Sequence, residues 1–199
     1  LTTWNEKINL TRITEKEDVY LKHFYDSLTL NKVIDLNQSI TLCDVGTGAG
    51  FPGLVLKICF PNLKITLVDS LQKRINFLNE VINTLNLKDI NTVHDRAEDY
   101  AKKHREEYDI VTSRAVANLR ALSELCIPMV KVGGYFAPMK ATIEEELDEA
   151  RDIINKLNGK LEKTETFFLP IEDSLRNILL IRKINKTNSI YPRRMDKIK

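Results

Sequence analysis

Four glycines in the first third of the chain are the residues best placed to form a binding site. Gly46, Gly48, Gly50 and Gly53 follow an apolar run that ends at Val45, and an apolar helical pattern comes after them. A strand, a glycine turn and a helix start in this order form a cradle for a nucleotide-like ligand. Because glycine has no Cβ atom, it allows positive φ angles and close approach of the backbone to a ligand. We therefore predict a nucleotide-type ligand at this turn.

The glycine spacing fits two ligand classes. Residues 48–53 match the dinucleotide pattern G-x-G-x-x-G, and residues 46–50 match the G-x-G-x-G loop of S-adenosylmethionine-dependent methyltransferases. Asp44 can hold the loop or meet a cationic ligand, and Pro52 lacks the N–H that a diphosphate would need. Both features favour S-adenosylmethionine. A tight turn without a ligand is the third interpretation, and four glycines directly after a strand argue against it. The predicted binding residues are Asp44, Gly46, Gly48 and Gly50.

A second acid follows at the end of the next predicted strand. Asp69 lies 25 residues after the first acid, where a carboxylate can accept hydrogen bonds from both ribose hydroxyls. Ser70 and Leu71 come next and are expected beside the adenine. Residues 95–98 (Asp-Arg-Ala-Glu) end the third predicted strand and are expected to border the same pocket. His94 is predicted to be a hydrogen-bonding residue and not a catalyst.

Several polar side chains have positions that suit a substrate contact. Lys73 and Arg74 begin a predicted helix, where cations are unfavourable for the helix dipole and invite an anionic partner. Arg114 follows the fourth predicted strand and is expected to face the ligand cleft. Solvated side chains or a salt bridge are the alternatives for these cations. His23 and Asp26 share a helix face, either as a surface pair or as a contact near the glycine loop.

The end of the chain is basic. Residues 183–199 carry six lysines and arginines against the single acid Asp196, with Tyr191-Pro192 among them. A basic segment with an aromatic residue is consistent with phosphate contacts and base stacking, or with a solubilising end.

Length and composition suit one α/β domain. The chain has 199 residues, of which 43% are hydrophobic and 29% charged, and its net charge of +2 does not by itself indicate a nucleic-acid partner. Cys43, Cys59 and Cys126 lie in apolar runs, so we expect three reduced core thiols and no metal site. No run approaches the roughly 18 apolar residues of a membrane span, and no signal peptide is visible. Leu1 in place of methionine suggests a missing N-terminus.

Periodicity predicts alternating strands and helices in a doubly wound sheet. Predicted strands cover 40–45, 64–68, 92–94, 108–112, 135–139, about 160–168 and about 176–184, and predicted helices cover 15–35, 54–60, 72–85, 119–130 and 142–158. Turns are expected at 131–134 and 170–173. The inward positions of the third helix are expected to be Ile75, Leu78, Val81, Ile82 and Leu85. A closing pair of strands is typical of methyltransferase sheets and absent from standard dinucleotide folds.

Several of these strings together resemble the glucose-inhibited division protein B family, the small-subunit ribosomal RNA methyltransferases G. The resemblance is carried by residues 4–11, 22–28, 44–53, 69–71, 73–74, 95–98, 113–115, 140 and 191–193. It implies a class I S-adenosylmethionine-dependent methyltransferase, with a Rossmann-like, seven-stranded, mostly parallel sheet, helices on both faces and an N-terminal helical segment. One domain is expected, with an extension at 1–36, a core at 37–184 and a tail at 185–199. The chain departs from the family pattern at both ends: the family's N-terminal helices are cut short before Leu1, and the residues after Arg193 differ from the family's usual tail.

The resemblance implies transfer of a methyl group from S-adenosyl-L-methionine to nitrogen-7 of one guanine in bacterial 16S ribosomal RNA, leaving S-adenosyl-L-homocysteine. Guanine nitrogen-7 has a lone pair and no proton, so no catalytic base or metal is expected. The implied cofactor residues are Gly46, Phe51, Asp69, Ser70, Leu71, Ala97, Glu98 and Arg114. Catalysis is expected from Arg114 and Lys140, and RNA contacts from His23, Lys73, Arg74 and Arg193.

The expected partner is 16S ribosomal RNA or the small ribosomal subunit, and the chain is expected to be a cytoplasmic monomer. Two other functions stay open at this point. One is a methyltransferase that acts on a small molecule or a protein, since its cofactor half would look the same. The other is a non-catalytic dinucleotide-binding regulatory module.

Overall fold

Seven strands form one sheet in the computed structural model, which describes residues 1–114, 116–171 and 173–198. The strands are β1 (Thr41–Val45), β2 (Lys64–Asp69), β3 (Ile90–His94), β4 (Tyr108–Arg114), β5 (Val130–Lys140), β6 (Gly159–Phe168) and β7 (Leu175–Lys183). Their order is β3-β2-β1-β4-β5-β7-β6. Strands β1 to β5 are parallel, and β7 pairs antiparallel with both β5 and β6. The predicted seven-stranded sheet with its closing antiparallel pair is confirmed.

Helices cover both faces of this sheet. They are α1 (Thr2–Ile8), α2 (Lys16–Val19), α3 (Asp26–Leu28), α4 (Gly53–Cys59), α5 (Gln72–Thr84), α6 (Ala97–Lys103), α7 (Leu119–Cys126), α8 (Glu144–Lys156) and α9 (Met195–Ile198). A π-helical segment at Tyr20–Tyr25 joins α2 to α3, and 3₁₀ turns follow at Thr29–Lys32 and Ile127–Met129. The predicted helix at 15–35 is therefore one helical stretch of three geometries. A π segment within a helix is often found at a functional site.

The core has two halves because side chains alternate across each strand. In β1, Leu42 belongs to the half that packs against α4 and α5, and its neighbour Cys43 belongs to the half that packs against α7 and α8. Both side chains are fully buried. β1 lies between β2 and β4, where the strand order reverses. The carboxyl ends of strands at such a reversal border a crevice in which α/β proteins bind ligands.

Some elements differ from their sequence-based predictions. Helices α1, α6 and α9 were not predicted, because each is seven residues or shorter and shows little periodicity. The expected turn at 131–134 lies inside β5, where the ladder with β4 shifts register between Tyr108 and Ile110. Leu85 is half exposed because α5 has already ended at Thr84.

The cysteine prediction is confirmed for two residues of three. Cys43 and Cys126 are buried, whereas Cys59 is exposed at the end of α4. All three are free thiols. The described residues contain no cluster of three or more possible metal ligands, and no described helix is long and apolar enough to cross a membrane. Three positions of the sequence analysis lie outside the described residues: Ala115, Glu172 of the expected turn at 170–173, and Lys199.

Candidate functional site

The glycine turn after β1 is tied to the neighbouring strand β2. The N–H groups of Gly46 and Thr47 both donate to the Val68 carbonyl, at 2.9 and 3.1 Å. Gly46 and Gly48 have φ angles of +68° and +61°, a region that few residues other than glycine adopt readily. A Cβ atom at Gly46 would meet Val116 at 2.5 Å, whereas one at Gly48 would meet no atom within 4 Å. Gly48 therefore borders open space.

Asp44 holds this turn from below. Its Oδ2 accepts hydrogen bonds from Thr47 Oγ1 at 2.7 Å and from the Gly53 N–H at 2.8 Å. Its Oδ1 is buried with no hydrogen-bond partner among the described residues. Burial raises the pKa of Asp44 to about 6, although these hydrogen bonds oppose the rise. Asp44 does not line the adjacent cavity, so the structure gives it the loop-holding role and not the predicted ligand contact.

Gly50, another predicted ligand contact, and the start of α4 are both taken up by packing and hydrogen bonds within the turn. Gly50 is buried, and a Cβ atom there would meet Leu54 Cβ at 2.6 Å, so Gly50 permits packing of the turn on α4 and does not line the cavity. The first N–H of α4 belongs to Gly53 and is taken by Asp44. The start of this helix is therefore not offered to a ligand.

A cavity of about 710 Å³, here called the first cavity, opens at the carboxyl ends of β1 and β2. Its volume is in the range typical of small-molecule sites. It contains most of the predicted cofactor residues: Gly46, Gly48, Phe51, Asp69, Ser70, Leu71, Ala97, Glu98 and Arg114. Its remaining walls come from Leu10, Thr11, His23, Val45, Thr47, Ala49, Val68, Arg74, Asp95, Arg96, Val116, Leu125 and Met195.

Asp69 is fixed at the centre of the first cavity. It is 2% exposed, and its two oxygens accept from the N–H groups of Gly48 and Leu71, both at 2.9 Å. Arg74 Nη1 lies 3.2 Å from Asp69 Oδ2. A neighbouring cation and two backbone donors therefore hold the Asp69 carboxylate in one orientation. Arg74 is thus part of the cavity wall, which differs from its predicted contact with RNA.

The residues that follow β2 and β3 form the next wall. Ser70 and Leu71 are exposed, and Ala97 and Glu98 begin α6 on the other side. His94 Nε2 lies 3.0 Å from the Ser70 carbonyl oxygen, in agreement with its predicted hydrogen-bonding role.

Arg114, at the end of β4, is held against the N-terminal helical stretch. Its Nη1 donates to the Lys22 carbonyl at 3.2 Å and to Asp26 Oδ2 at 3.1 Å. Its Nη2 lies 3.2 Å from His23 Nδ1, and its guanidinium lies 5.3 Å from the centre of the Phe51 ring. Arg114 therefore joins the glycine turn to the N-terminal helical stretch.

His23 and Asp26 are not a surface pair. Both are buried, and the His23 ring stacks on Phe51 with 4.5 Å between centroids. Burial, together with the charge of Arg114, lowers the pKa of His23 to about 4, so the ring is neutral near pH 7. Since arginine can only donate, Nδ1 accepts from Arg114 and Nε2 carries the proton toward Thr11 Oγ1 at 2.7 Å. A neutral histidine is not a phosphate-binding cation.

A second cavity of about 430 Å³ adjoins the first. His23 and Arg114 line both cavities. The other residues of the second cavity are Ile13, Lys22, Asp26, Met139, Lys140, Ala141, Thr142, Glu146 and Arg176. Lys140 Nζ donates to the Ala117 carbonyl at 2.9 Å and to Glu146 Oε2 at 2.7 Å. The structure thus brings the two predicted catalytic residues, Arg114 and Lys140, to one cavity.

The remaining predicted RNA contacts lie away from both cavities. Lys73 is exposed in the first turn of α5. Arg193 makes two side-chain bonds to the buried carboxylate of Glu124, at 2.9 and 2.8 Å. Arg105 also holds this segment by donating to the Thr187 carbonyl at 2.7 Å. The described part of the tail is therefore docked on the domain and is not a free solubilising end.

Sequence reasoning missed several cavity residues. Met195 lines the first cavity because the tail folds back over the sheet, and Leu10 and Thr11 reach it from the N-terminal side. Asp26 and Arg176 lie 150 residues apart and meet at 3.2 Å in the second cavity. The spacing of these residues carries no signal of their proximity, since they come from elements that are distant in the chain.

Comparisons with known proteins identify relatives of the chain. The model of the GidB family, described as rRNA small subunit methyltransferase G, matches residues 1–175. Relatives named Ribosomal RNA small subunit methyltransferase G, from Bacillus cytotoxicus and Bacillus cereus, are 57% identical over 197 residues, covering 98% of this chain and 82% of each relative. A SAM dependent methyltransferase from Aquifex aeolicus has a similar structure, with a TM-score of 0.63, 17% identity and coverage of 87% of this chain and 96% of that chain. TrmN from Thermus thermophilus also has a TM-score of 0.63, with 16% identity over 79% of this chain and 48% of that chain.

Proposed function

We propose that this chain, which belongs to the GidB family of small-subunit rRNA methyltransferases, transfers a methyl group from S-adenosyl-L-methionine to nitrogen-7 of a guanine in bacterial 16S ribosomal RNA. The observation that carries the proposal is the pair of adjoining cavities with Arg114 and His23 in their common wall. A methyltransferase needs a donor site and an acceptor site that meet at the transferred group. The first cavity suits the cofactor, and the second suits the base.

The residues of the first cavity fit S-adenosyl-L-methionine. Gly48 leaves room where any side chain would project, and Asp69 supplies a fixed carboxylate for the sugar hydroxyls. Ser70, Leu71, Ala97 and Glu98 would hold the adenine, and Gly46, Gly48, Phe51 and Arg114 would hold the methionine end. When bound, this cofactor supplies an electrophilic methyl group on a positively charged sulfur.

The residues of the site suit a reaction that needs no general base. Guanine nitrogen-7 attacks with a lone pair and releases no proton. His23 donates toward Thr11 and accepts from Arg114, so both of its ring nitrogens are engaged in holding the wall in place. The role of these residues is to orient the base, since well-oriented reactants account for a large part of the rate enhancement of such reactions. Arg114 and Lys140 are proposed to contact the base directly.

Lys73 stays a proposed phosphate contact, because it is exposed. Arg74 and Arg193 are engaged by Asp69 and Glu124, so we assign them to the cofactor wall and the tail. The proposed partner is 16S ribosomal RNA or the small ribosomal subunit, and the proposed location is the cytoplasm, where ribosomes work. We propose a monomer, with residues 1–36 as a helical extension, 37–184 as the core and 185–199 as the tail.

The test is transfer of labelled methyl groups to small subunits from cells that lack this protein. The expected product is one 7-methylguanine in 16S ribosomal RNA, located by mass mapping, and nuclease treatment should remove all the label. Label that survives nuclease and is lost with protease or passes a small-molecule filter would instead support a protein or small-molecule substrate. Binding of NAD without measurable binding of S-adenosylhomocysteine would support the regulatory dinucleotide module.

A further inference from the structure

Asp26 is a buried acid that the cofactor site does not use. It is 4% exposed and forms part of the second cavity. Its Oδ2 accepts from Arg114 Nη1 at 3.1 Å and from Arg176 Nε at 3.2 Å. Two cations from different strands therefore fix this carboxylate in place. A buried carboxylate whose position is fixed in this way is well suited to recognise a specific polar partner.

The Arg114–Asp26 pair still has hydrogen-bonding capacity. A guanidinium has five N–H groups, and three hydrogen bonds of Arg114 are made within the described residues, to Lys22, Asp26 and His23. The described side-chain bonds of Asp26 both fall on Oδ2, which leaves the lone pairs of Oδ1. The pair thus offers a donor beside an acceptor in the second cavity.

This donor–acceptor order matches one purine. Guanine has the acceptor O6 next to the donor N1–H, whereas adenine has its amino donor next to the acceptor N1. We propose that Arg114 donates to O6 and Asp26 accepts from N1–H of the target guanine, so that the pair selects guanine in the second cavity. This inference rests on the proposed function, because it concerns the base that the enzyme methylates. Nitrogen-7 lies on the other side of O6, so a base held in this way keeps it free to react.

These contacts also require that the target guanine is not base-paired. O6 and N1–H are the atoms that guanine uses to pair with cytosine. A guanine held by Arg114 and Asp26 must therefore be unpaired, or extruded from its stack into the cavity. The second cavity provides apolar contact for such a base through Met139 and Ile13.

Among the described residues, Glu146 is the other acid of the second cavity. Its Oε2 is engaged by Lys140 Nζ and by the Leu119 N–H, both at 2.7 Å, and its side chain is 32% exposed. Water can replace hydrogen bonds at an exposed carboxylate, so its discrimination between bases is weaker than that of a buried one. Glu146 is therefore the matched control for Asp26.

The experiment compares target bases in small subunits reconstituted with 16S ribosomal RNA. The modified position carries guanine, inosine, 2-aminopurine or 1-methylguanine. Inosine keeps O6 and N1–H, 2-aminopurine lacks both, and 1-methylguanine lacks only N1–H. For the wild-type enzyme we expect kcat/KM with 2-aminopurine and 1-methylguanine to fall at least about 100-fold below guanine, with inosine within about fivefold of guanine. Asp26→Asn should narrow the ratio of guanine to 1-methylguanine to less than about tenfold. Arg114 and Arg176 both need an acceptor, so they keep the single amide oxygen, and the amide NH2 then faces N1–H and cannot accept from it.

Glu146→Gln should leave this ratio unchanged, whatever it does to the rate with guanine. If Asp26 only supports the fold, Asp26→Asn will lower kcat/KM for guanine and for 1-methylguanine by the same factor, and the inference is overturned. The wild-type enzyme alone can also overturn the inference, so the test does not depend on whether Asp26→Asn folds. Either of two results would do so: kcat/KM for 1-methylguanine equal to that for guanine, or kcat/KM for inosine as low as that for 2-aminopurine. Failure of the wild type to methylate guanine in any subunit contradicts the proposed function instead.

Discussion

The role of a single residue in this protein depends on how deeply its side chain is buried. Asp44 and Asp69 end neighbouring strands, yet Asp44 is sealed beneath the glycine turn and Asp69 faces the first cavity. Arg114 is the most connected of the cationic residues of the site, since it contacts His23, Asp26 and Phe51 at once. The type of a residue therefore indicates less about its role than the elements that surround it.

The first prediction concerns Asp44 and pH. Its pKa in the folded protein is raised to about 6 from 3.8, so folding favours the protonated form. The stabilisation is fully present below pH 3.8 and is lost as pH rises through 6. We expect the free energy of unfolding of the wild type, relative to Asp44→Asn, to fall by about 2 kcal/mol between pH 4 and pH 7. Urea unfolding of both proteins at several pH values measures this difference.

Asp109 is the control with the opposite sign. Burial alone would raise the pKa of Asp109, but hydrogen bonds from Thr41 and Lys131 bring it below its usual value. Its contribution is present above the unfolded pKa and is lost as pH falls, so the wild type should gain stability relative to Asp109→Asn as pH rises. Equal slopes for the two variants would contradict the assignment of Asp44.

The second prediction concerns the two proposed catalytic residues. Arg114→Ala and Lys140→Ala should each lower kcat for methylation of small subunits by about 100-fold, because each removes a charged donor from the second cavity. Purified subunits and labelled cofactor provide the assay, and thermal unfolding controls for misfolding. Unchanged methylation by a folded variant would remove that residue from the mechanism.

At the level of elements, the tail forms part of the wall of the first cavity. Arg193 is anchored by Glu124, which is 1% exposed, and Met195 two residues later lines the first cavity. Ile198 then packs into the core with Tyr191 and Met195 beside it. The matched family model ends at residue 175, so this wall lies beyond the segment that it describes.

The third prediction follows from this anchor. Arg193→Ala leaves the Glu124 carboxylate buried without its cation, which destabilises the docked tail by about 2 kcal/mol. We expect faster amide hydrogen exchange across residues 191–198 and a dissociation constant for S-adenosylhomocysteine that rises about tenfold by calorimetry. Arg194→Ala is the control, since the Arg194 side chain is 82% exposed. Faster exchange with an unchanged dissociation constant would show that the tail is not part of the cofactor site.

At the level of the whole molecule, the sheet order brings the two cavities together. Reversal of strand order around β1 places the carboxyl ends of β2, β1 and β4 side by side. The carboxyl end of β5 lies next to them, followed by the start of the antiparallel strand β7. The first cavity is lined at the ends of β1, β2 and β4 and by the start of α6, and the second by the end of β5, the start of β7 and the N-terminal helical stretch. Arg114 lines both cavities. The net charge of +2 means that recognition of RNA depends on local cations and not on overall charge.

The fourth prediction tests ligand choice on the whole domain. A ligand that binds only the folded state stabilises it by about 2.7 kcal/mol at a hundredfold excess over its dissociation constant. For a domain of this size we expect S-adenosylhomocysteine to raise the melting temperature by roughly 5–10 °C. NAD at the same concentration should leave it unchanged, and Asp69→Asn should remove most of the shift. Stabilisation by NAD alone would contradict the proposed cofactor.

The sequence alone determined the parts that depend on short segments. The positions of the glycine turn, of Asp69 at the end of β2 and of most strands were predicted correctly, because backbone conformation and side-chain alternation are local properties. The residues of the first cavity near the glycine turn follow from the same segments. The resemblance to the rRNA methyltransferase family was also readable from strings of adjacent residues.

Tertiary structure decided which of these residues meet. Asp26 contacts Arg114 and Arg176 across 88 and 150 residues of chain, and Glu124 meets Arg193 across 69. The hydrophobic periodicity of the sequence carries no information about such pairs, because they form only when the sheet order brings distant strands and the tail together. The same folding pairs Arg74 and Arg193 with the buried carboxylates of Asp69 and Glu124, and it buries His23 so that the ring stays neutral. Composition and spacing identify candidate side chains, and burial and partners then determine their charge and role.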